Sequence, residues 1–187
     1  MKTTSIVIEI LIIGFQTLIW CILVVLSMFG YWWVNLNPDL LLGFTLFITA
    51  MSYTFGVLFD NLWNRISEPM DKHIRSLYFK DTKEVHSMRG SIFAENKQTV
   101  EFMEYIRSRM RIARSSVYNF PLITVAALVF ITVQFQVVAP ELRMKIIIFV
   151  LVSGALLTLL AVSAYRKLTH TYYKQILVLY KELGNKK

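Results

Sequence analysis

The sequence predicts an all-α integral membrane protein: four transmembrane helices in two antiparallel hairpins, a cytosolic helical insertion between spans two and three, and a C-terminal cytosolic helix. Three observations predict this class. Four apolar runs each reach the roughly 20 residues that a helix needs to cross hydrocarbon. Hydrophobic residues make up 56% of the 187-residue chain, above the roughly 45–50% of soluble domains. The formal charge of +8 is concentrated between and after these runs.

The apolar runs divide the chain into four segments. Short connections at 35–38 and 139–141 contain Pro38 and Pro140, which favour a turn followed by a new helix. Each pair of spans should therefore lie side by side and antiparallel. The predicted spans are Ile6 to Trp33, Leu40 to Trp63, Tyr118 to Val138 and Ile146 to Tyr165. They give a first hairpin at 1–66, a cytosolic insertion at 67–117, a second hairpin at 118–165 and a basic tail helix at 166–187.

Positive charge predicts the orientation of the spans. Eleven Lys and Arg residues lie between Arg65 and Arg114, and six more lie in the tail from Arg166 to Lys187. The connection between the last two spans holds only Arg143 and Lys145. Because cytoplasmic loops carry the excess of Lys and Arg, both termini and the insertion should be cytosolic.

Aromatic residues are expected to form a belt at the cytosolic membrane surface. Trp63 ends the second run, Tyr118 begins the third and Tyr165 ends the fourth. Amphipathic rings favour the depth of the lipid headgroups. We therefore expect these three side chains to face the interface.

The insertion has two parts with different patterns. From Ser67 to Gly90 the pattern is irregular, and Pro69 and Gly90 are expected to break it into one or two short helices. From Asn96 onward, apolar residues recur at helical steps and predict an amphipathic helix that runs into the third span. The tail also shows a helical face and should continue the fourth span.

A stripe of small and polar residues follows one face of the second span. The steps of three and four residues place all members on that face: Thr45, Thr49, Ser52, Gly56 and Asp60. One interpretation is a water-lined path that ends at an acid. The favoured interpretation is close helix packing, because small residues let backbones approach.

Glu9 and Gln16 form an intramembrane polar pair on one face of the first span. A carboxylate that faced lipid would be costly, so Glu9 should face protein or reach the interface. The expected partners at that depth are basic, and a structural ion pair is favoured over a titrating role. They are Arg111, Arg114, Arg166 and Lys167.

The densest positive charge lies just before the third span, at Arg107, Arg109, Arg111 and Arg114. The simpler interpretation is retention in the cytosol and contact with anionic lipid headgroups. The alternative is a docking surface for an acidic partner or nucleic acid, because the guanidinium fork suits carboxylate and phosphate. No nucleic-acid-binding module surrounds these arginines, so no direct sequence-specific binding of nucleic acid is expected.

No motif predicts catalysis or a cofactor. His73, His86 and His170 lack a Cys or His neighbour at ligand spacing, which argues against a zinc site. Glycine-rich phosphate loops, nucleophile elbows and metalloprotease helix motifs are absent from the sequence. We expect a protein without enzymatic activity, metal or cofactor.

The chain resembles the small four-span membrane proteins of bacterial anti-phage defence operons, among them the membrane subunits of the Kiwa system (KwaA). The layout of two hairpins around a basic insertion carries the resemblance over the full length. Two stretches add to it: Gly56-Val-Leu-Phe-Asp60, which closes the second span, and Arg109-Met-Arg-Ile-Ala-Arg114, which opens the third. The resemblance implies an oligomer of the inner membrane that engages a soluble, nucleic-acid-binding partner during infection.

Three functions are therefore open. The favoured one is a non-enzymatic, homo-oligomeric membrane subunit that senses membrane perturbation and recruits or controls a soluble cytosolic protein. The second is a homo-oligomeric ion channel or pore-forming effector whose second span lines the path. The third is a structural or immunity-type membrane protein without a signalling role.

Overall fold

The computed structural model describes residues 3–32, 41–79, 82–95 and 97–184. This part of the chain folds into five α-helices and contains no strand: α1 (Thr3–Phe29), α2 (Leu41–Ser76), α3 (Thr82–Glu95), α4 (Lys97–Gln134) and α5 (Pro140–Gly184). The predicted turn at 35–38 lies outside the described residues. The prediction of an all-α protein is confirmed for the part that is described.

Four of these helices, α1, α2, α4 and α5, are long and apolar enough to cross a membrane. Their large hydrophobic side chains are exposed around much of the helix surface. In α5, for example, Phe149 is 70% exposed and Leu159 is 68% exposed. Exposure on this scale would be unfavourable in water, whereas hydrocarbon solvates such side chains. The four helices therefore fit a multi-pass membrane protein.

Three of the four helices are longer than a bilayer is thick. α2, α4 and α5 have 36, 38 and 45 residues, hence lengths of about 54 Å or more at 1.5 Å per residue. A whole bilayer, headgroups included, measures only about 40–45 Å. The predicted segment boundaries near residues 66, 117 and 165 all fall inside continuous helices. Each of the three helices therefore continues well beyond its apolar run.

The predicted helix breaks at Pro69 and Gly90 are wrong. α2 continues through Pro69 to Ser76, and α3 contains Gly90 in its second half. Proline lacks an N–H and so removes one backbone hydrogen bond, but the buried residues Ser67 and Ile74 hold the helix on either side. Gly90 is exposed, and a Cβ there would meet open space. Packing has overridden local propensity at Pro69, whereas an exposed glycine costs a helix only about 1 kcal/mol and does not have to end it.

α1 packs against both α2 and α4. On the α2 side the contacts occur at glycines: Gly14 lies against the backbone of Ser52, and Gly56 lies against the backbone of Ile10. The later residue of α1 thus meets the earlier residue of α2, so the two helices run in opposite directions. Only residues without a Cβ permit so close an approach of two backbones.

α4 packs along α5, and the two are joined by the short segment 135–139. Gly154 of α5 lies against the side chain of Thr124 in α4. Beyond the apolar runs, these helices join α3 and the end of α2 around a second hydrophobic core. Its buried members are Ile74, Phe79, Val85, Ile92, Met103, Ile106, Tyr172, Tyr173 and Ile176. This core turns the insertion and the tail into one packed unit.

Candidate functional site

A chain of ion pairs joins α1, α2 and α4 where the apolar runs give way to the basic segment. Arg114 donates from Nη2 to Oδ1 of Asp60 at 2.7 Å and from Nη1 to Oδ1 of Asn64. Arg111 Nη1 lies 3.6 Å from Oε2 of Glu9, and its Nε lies 4.0 Å from Oδ2 of Asp60. Two arginines of one helix thus bind acids on two others.

Helical spacing explains this arrangement. Arg111 and Arg114 are three residues apart and share one face of α4, while Asp60 and Asn64 are four apart on α2. Glu9 is buried, as its depth in an apolar helix requires, and Arg111 is one of the partners expected for it. We name this set of five residues the junction clamp.

A second polar group lies deeper among the apolar helices, between α1 and α4. Asn119 is fully buried; its Nδ2 donates to Ser115 at 2.9 Å, and its Oδ1 accepts from Trp20 at 3.2 Å. Gln16 donates to Ser116 at 3.0 Å. Glu9 and Gln16 therefore both face α4. Because these buried groups satisfy one another, the cluster holds two helices together without leaving a free reactive group.

The small and polar stripe of α2 does not act as one unit. Ser52 and Gly56 are buried against α1, and Asp60 belongs to the junction clamp. Thr45 and Thr49 are exposed and border an apolar cleft between α1 and α2, where Thr49 donates to the backbone oxygen of Thr45 at 2.8 Å. These contacts favour the packing interpretation for the inner part of the stripe.

The four arginines before the third span also separate into two groups. Arg111 and Arg114 are used by the junction clamp, and the Arg114 side chain is only 11% exposed. Arg109 is exposed and lies over the ring of Tyr105, with 4.7 Å between Cζ and the ring centroid. Arg111 and Arg114 are therefore held in contacts between helices, while Arg109 remains on the surface.

Arg107 lines a polar cleft of about 300 Å³. Four helices contribute to this cleft, and its polar lining includes Asp71 of α2, Arg89 of α3, and Tyr165 and Tyr172 of α5. Arg111, Arg114 and Asp60 form its wall toward the junction clamp. The cleft is thus the place where the basic insertion, the tail and the membrane-length helices meet.

The predicted aromatic belt is wrong for two of its three residues. Tyr165 is buried, and its hydroxyl donates to Oδ1 of Asp71 at 3.2 Å. Trp63 is buried as well and stacks on Tyr118 with ring centroids 4.9 Å apart. These rings face protein because α2, α4 and α5 continue past the expected interface.

Sequence reasoning missed Asp71, Arg89 and the tyrosines of α5 as site residues. They lie on three different helices and are separated by up to about one hundred positions, so no local spacing joins them. Only the packing of α5 against α2, α3 and α4 brings them together. The available signal was weak: Asp71 and Arg89 lie in the part of the insertion whose pattern was irregular.

Within the described residues, no group of His, Cys, Asp and Glu is placed to hold a metal ion. His170 is engaged through Nδ1 in a 3.0 Å hydrogen bond with the hydroxyl of Tyr78. The side chain of His86 lies outside the described residues. The expectations of no metal and no catalysis stay predictions.

No family model, no curated protein and no solved structure matches this chain.

Proposed function

We propose that the protein is a non-enzymatic, oligomeric subunit of a bacterial inner membrane that senses membrane perturbation and recruits or controls a soluble cytosolic partner in anti-phage defence. One observation carries the proposal. The membrane-length helices α2, α4 and α5 continue without a break into a packed polar unit, and the junction clamp ties α2 and α4 to α1 at the transition. A change in the apolar half is therefore transmitted to the polar half as a rigid-body motion.

The topology that this function requires is two antiparallel hairpins with the basic unit in the cytosol. The opposite directions of α1 and α2 and the short segment between α4 and α5 support the hairpins. The excess of Lys and Arg in 65–114 and in the tail supports the cytosolic side.

The trigger would act through helix tilt. A local change in bilayer thickness alters the match between span length and hydrocarbon, and helices respond by tilting. Such a change becomes a signal only when one packing state is favoured over another. The junction clamp supplies the element that distinguishes the states, because its ion pairs depend on the relative positions of α1, α2 and α4.

The assignment to anti-phage defence rests on the resemblance to the Kiwa membrane subunits. The two stretches that carry this resemblance, 56–60 and 109–114, meet in the structure through Asp60 and Arg114. Their meeting gives both stretches a common role in the junction clamp.

An exposed patch on α4 is the proposed partner surface. Phe102, Tyr105 and Arg109 lie at helical spacing, and all three are exposed. Aromatic residues and arginine are enriched where protein interfaces have their strongest contacts. A soluble partner with an acidic, partly apolar surface would complement this patch.

The test is the mass of the complex extracted in detergent from the native host. We expect the complex to be heavier than a homo-oligomer of the 21.8 kDa chain. The extra mass should come from a soluble protein that is present in a fixed ratio to this chain. The double variant Y105A/R109E should lose that protein and keep the oligomer. The matched control Y180A/K174E changes exposed residues of the same types on α5 and should keep it. A wild-type complex that contains this chain alone would contradict the proposal.

A channel remains the second candidate because Thr45 and Thr49 are exposed on α2 and border a cleft with α1. In an oligomer these hydroxyls would line a path between subunits. Reconstituted wild-type protein should then conduct ions, and T45V/T49V, which leaves the junction clamp intact, should reduce the current. A current that T45V/T49V leaves unchanged removes this lining model.

A further inference from the structure

The polar cleft between α2, α3, α4 and α5 has more positive charge than its own acids neutralise. Four guanidinium groups and two carboxylates line it. Asp60 is already shared by Arg111 and Arg114, and Asp71 accepts from Tyr165. Arginine stays protonated under all physiological conditions. The lining therefore has an excess of two positive charges, one of which Glu9 offsets from outside the cleft through Arg111, and two arginines have no carboxylate at ion-pair distance among the described side chains.

Those two are Arg89 and Arg107. Among the described side chains, neither forms an ion pair with a carboxylate. Arg107 is partly buried, and the like charges of Arg89 and Arg111 act on it, while the exposed Glu104 offsets them only from a distance. Arg89 lies over the ring of Phe93, 4.9 Å from its centroid. Like charges held together at a partly buried place destabilise the fold unless an anion joins them.

A further unused donor lies in the same wall. Nε of Arg114 is buried and has no hydrogen-bond partner within the described part of the chain. Tyr172 of α5 also lines the cleft. The cleft thus offers two guanidinium forks and additional polar hydrogens around one small space.

From this arrangement we infer that the cleft binds a phosphate monoester, held between Arg89 and Arg107. A monoester carries about −1.5 to −2 charges at neutral pH and three acceptor oxygens, which matches two unpaired arginines. Guanidinium forks bind such oxygens in bidentate geometry. The volume of about 300 Å³ lies at the lower end of ligand sites, so it suits a lipid headgroup or a small soluble phosphate. The inference does not depend on the proposed partner.

Phosphate binding would stabilise the packing of four helices at once. α3 contributes Arg89 and α4 contributes Arg107, so one ligand would cross-link the insertion to the membrane-length helices. Any ligand that binds only the folded state raises its stability by mass action. Ligand binding is therefore measurable as a shift of the unfolding midpoint.

The experiment uses the full chain in nanodiscs, with the unfolding midpoint as the readout. Phosphatidylcholine discs are compared with discs that also contain phosphatidic acid, a monoester, or phosphatidylglycerol, a diester, at equal molar fraction. In a separate arm, glycerol phosphate is added to pure phosphatidylcholine discs. We expect phosphatidic acid to stabilise the wild type more than phosphatidylglycerol if the phosphate belongs to a lipid. Stabilisation by glycerol phosphate would identify a soluble source instead.

The variants R89Q and R107Q should each weaken the apparent affinity by roughly tenfold or more, because each removes a charged hydrogen-bond donor. The control R109Q changes an exposed arginine of the same helix outside the cleft and should bind as the wild type does. R107K keeps the positive charge without the guanidinium fork and should show an intermediate loss of apparent affinity. It therefore tests the role of Arg107 even if R107Q does not fold. Equal responses to the two lipids without any response to glycerol phosphate would overturn the inference. So would wild-type affinity in R89Q and R107K.

Discussion

At the scale of single residues, the Arg114 side chain makes several contacts that link α4 to α2. It binds Asp60 and Asn64 on α2, both side chains of the ion pair are mostly buried, and Arg111 extends the pair to Glu9 on α1. A charge taken out of water stabilises a fold only when its partner remains. The loss of one member should therefore cost more than the loss of both.

We predict that R114A lowers the free energy of unfolding by about 2 kcal/mol, because Asp60 is left with only the distant Arg111. The double variant D60A/R114A should cost less than the sum of the two single variants. Thermal or denaturant unfolding in detergent measures the stability of the wild type, of both single variants and of the double variant. Strict additivity of the single costs would show that the pair is not coupled.

At the scale of helices, glycine decides how α1 meets α2. A Cβ at Gly14 would overlap the backbone carbonyl of Ser52, and a Cβ at Gly56 would overlap that of Ile10. Backbone atoms cannot rotate away as a side-chain end can. The close contact of the two helices therefore requires glycine at both positions. The sequence pattern marked only Gly56, as part of the stripe.

The substitutions G14A and G56A should each destabilise the protein by about 1–3 kcal/mol, because α1 must move away from α2. G43A is the matched control: it lies on the same helix as Gly56, and a Cβ there meets open space. It should change stability by less than about 0.5 kcal/mol. Unfolding of the three variants in one detergent compares them directly, and equal costs for G43A and G56A would contradict the packing.

At the scale of the whole molecule, one continuous set of helices forms an apolar half and a polar half. The apolar half exposes large hydrophobic side chains, while the polar half buries its own core around Met103 and Ile176. The junction clamp and the cleft both lie between them. A position in α3 and a position in the α4–α5 connection should therefore lie on opposite sides of the membrane.

We predict that a cysteine at Val137, which is fully exposed in the α4–α5 connection, reacts with an impermeant maleimide on spheroplasts. A cysteine at Ser91, which is exposed in α3, should react only after lysis. Both are made in a chain whose single cysteine, Cys21, is replaced by serine. The reverse pattern of labelling would place the basic unit outside the cell and contradict the proposed topology.

The sequence by itself determined the elements whose signal is local. Long apolar runs predicted membrane-length helices, helical spacing placed Glu9 and Gln16 on one face, and the amphipathic pattern predicted that α4 continues beyond its span. These features depend on hydrophobicity and on the 3.6-residue period, both of which are read directly from neighbouring residues.

The tertiary structure alone decided the rest. It carried α2 through Pro69, moved Trp63 and Tyr165 from an expected interface into protein contacts, and divided four adjacent arginines between the junction clamp, an exposed patch and a cleft. Burial and charge pairing depend on which helices become neighbours. That choice is made by the summed packing of distant segments, and no local window of the sequence contains it.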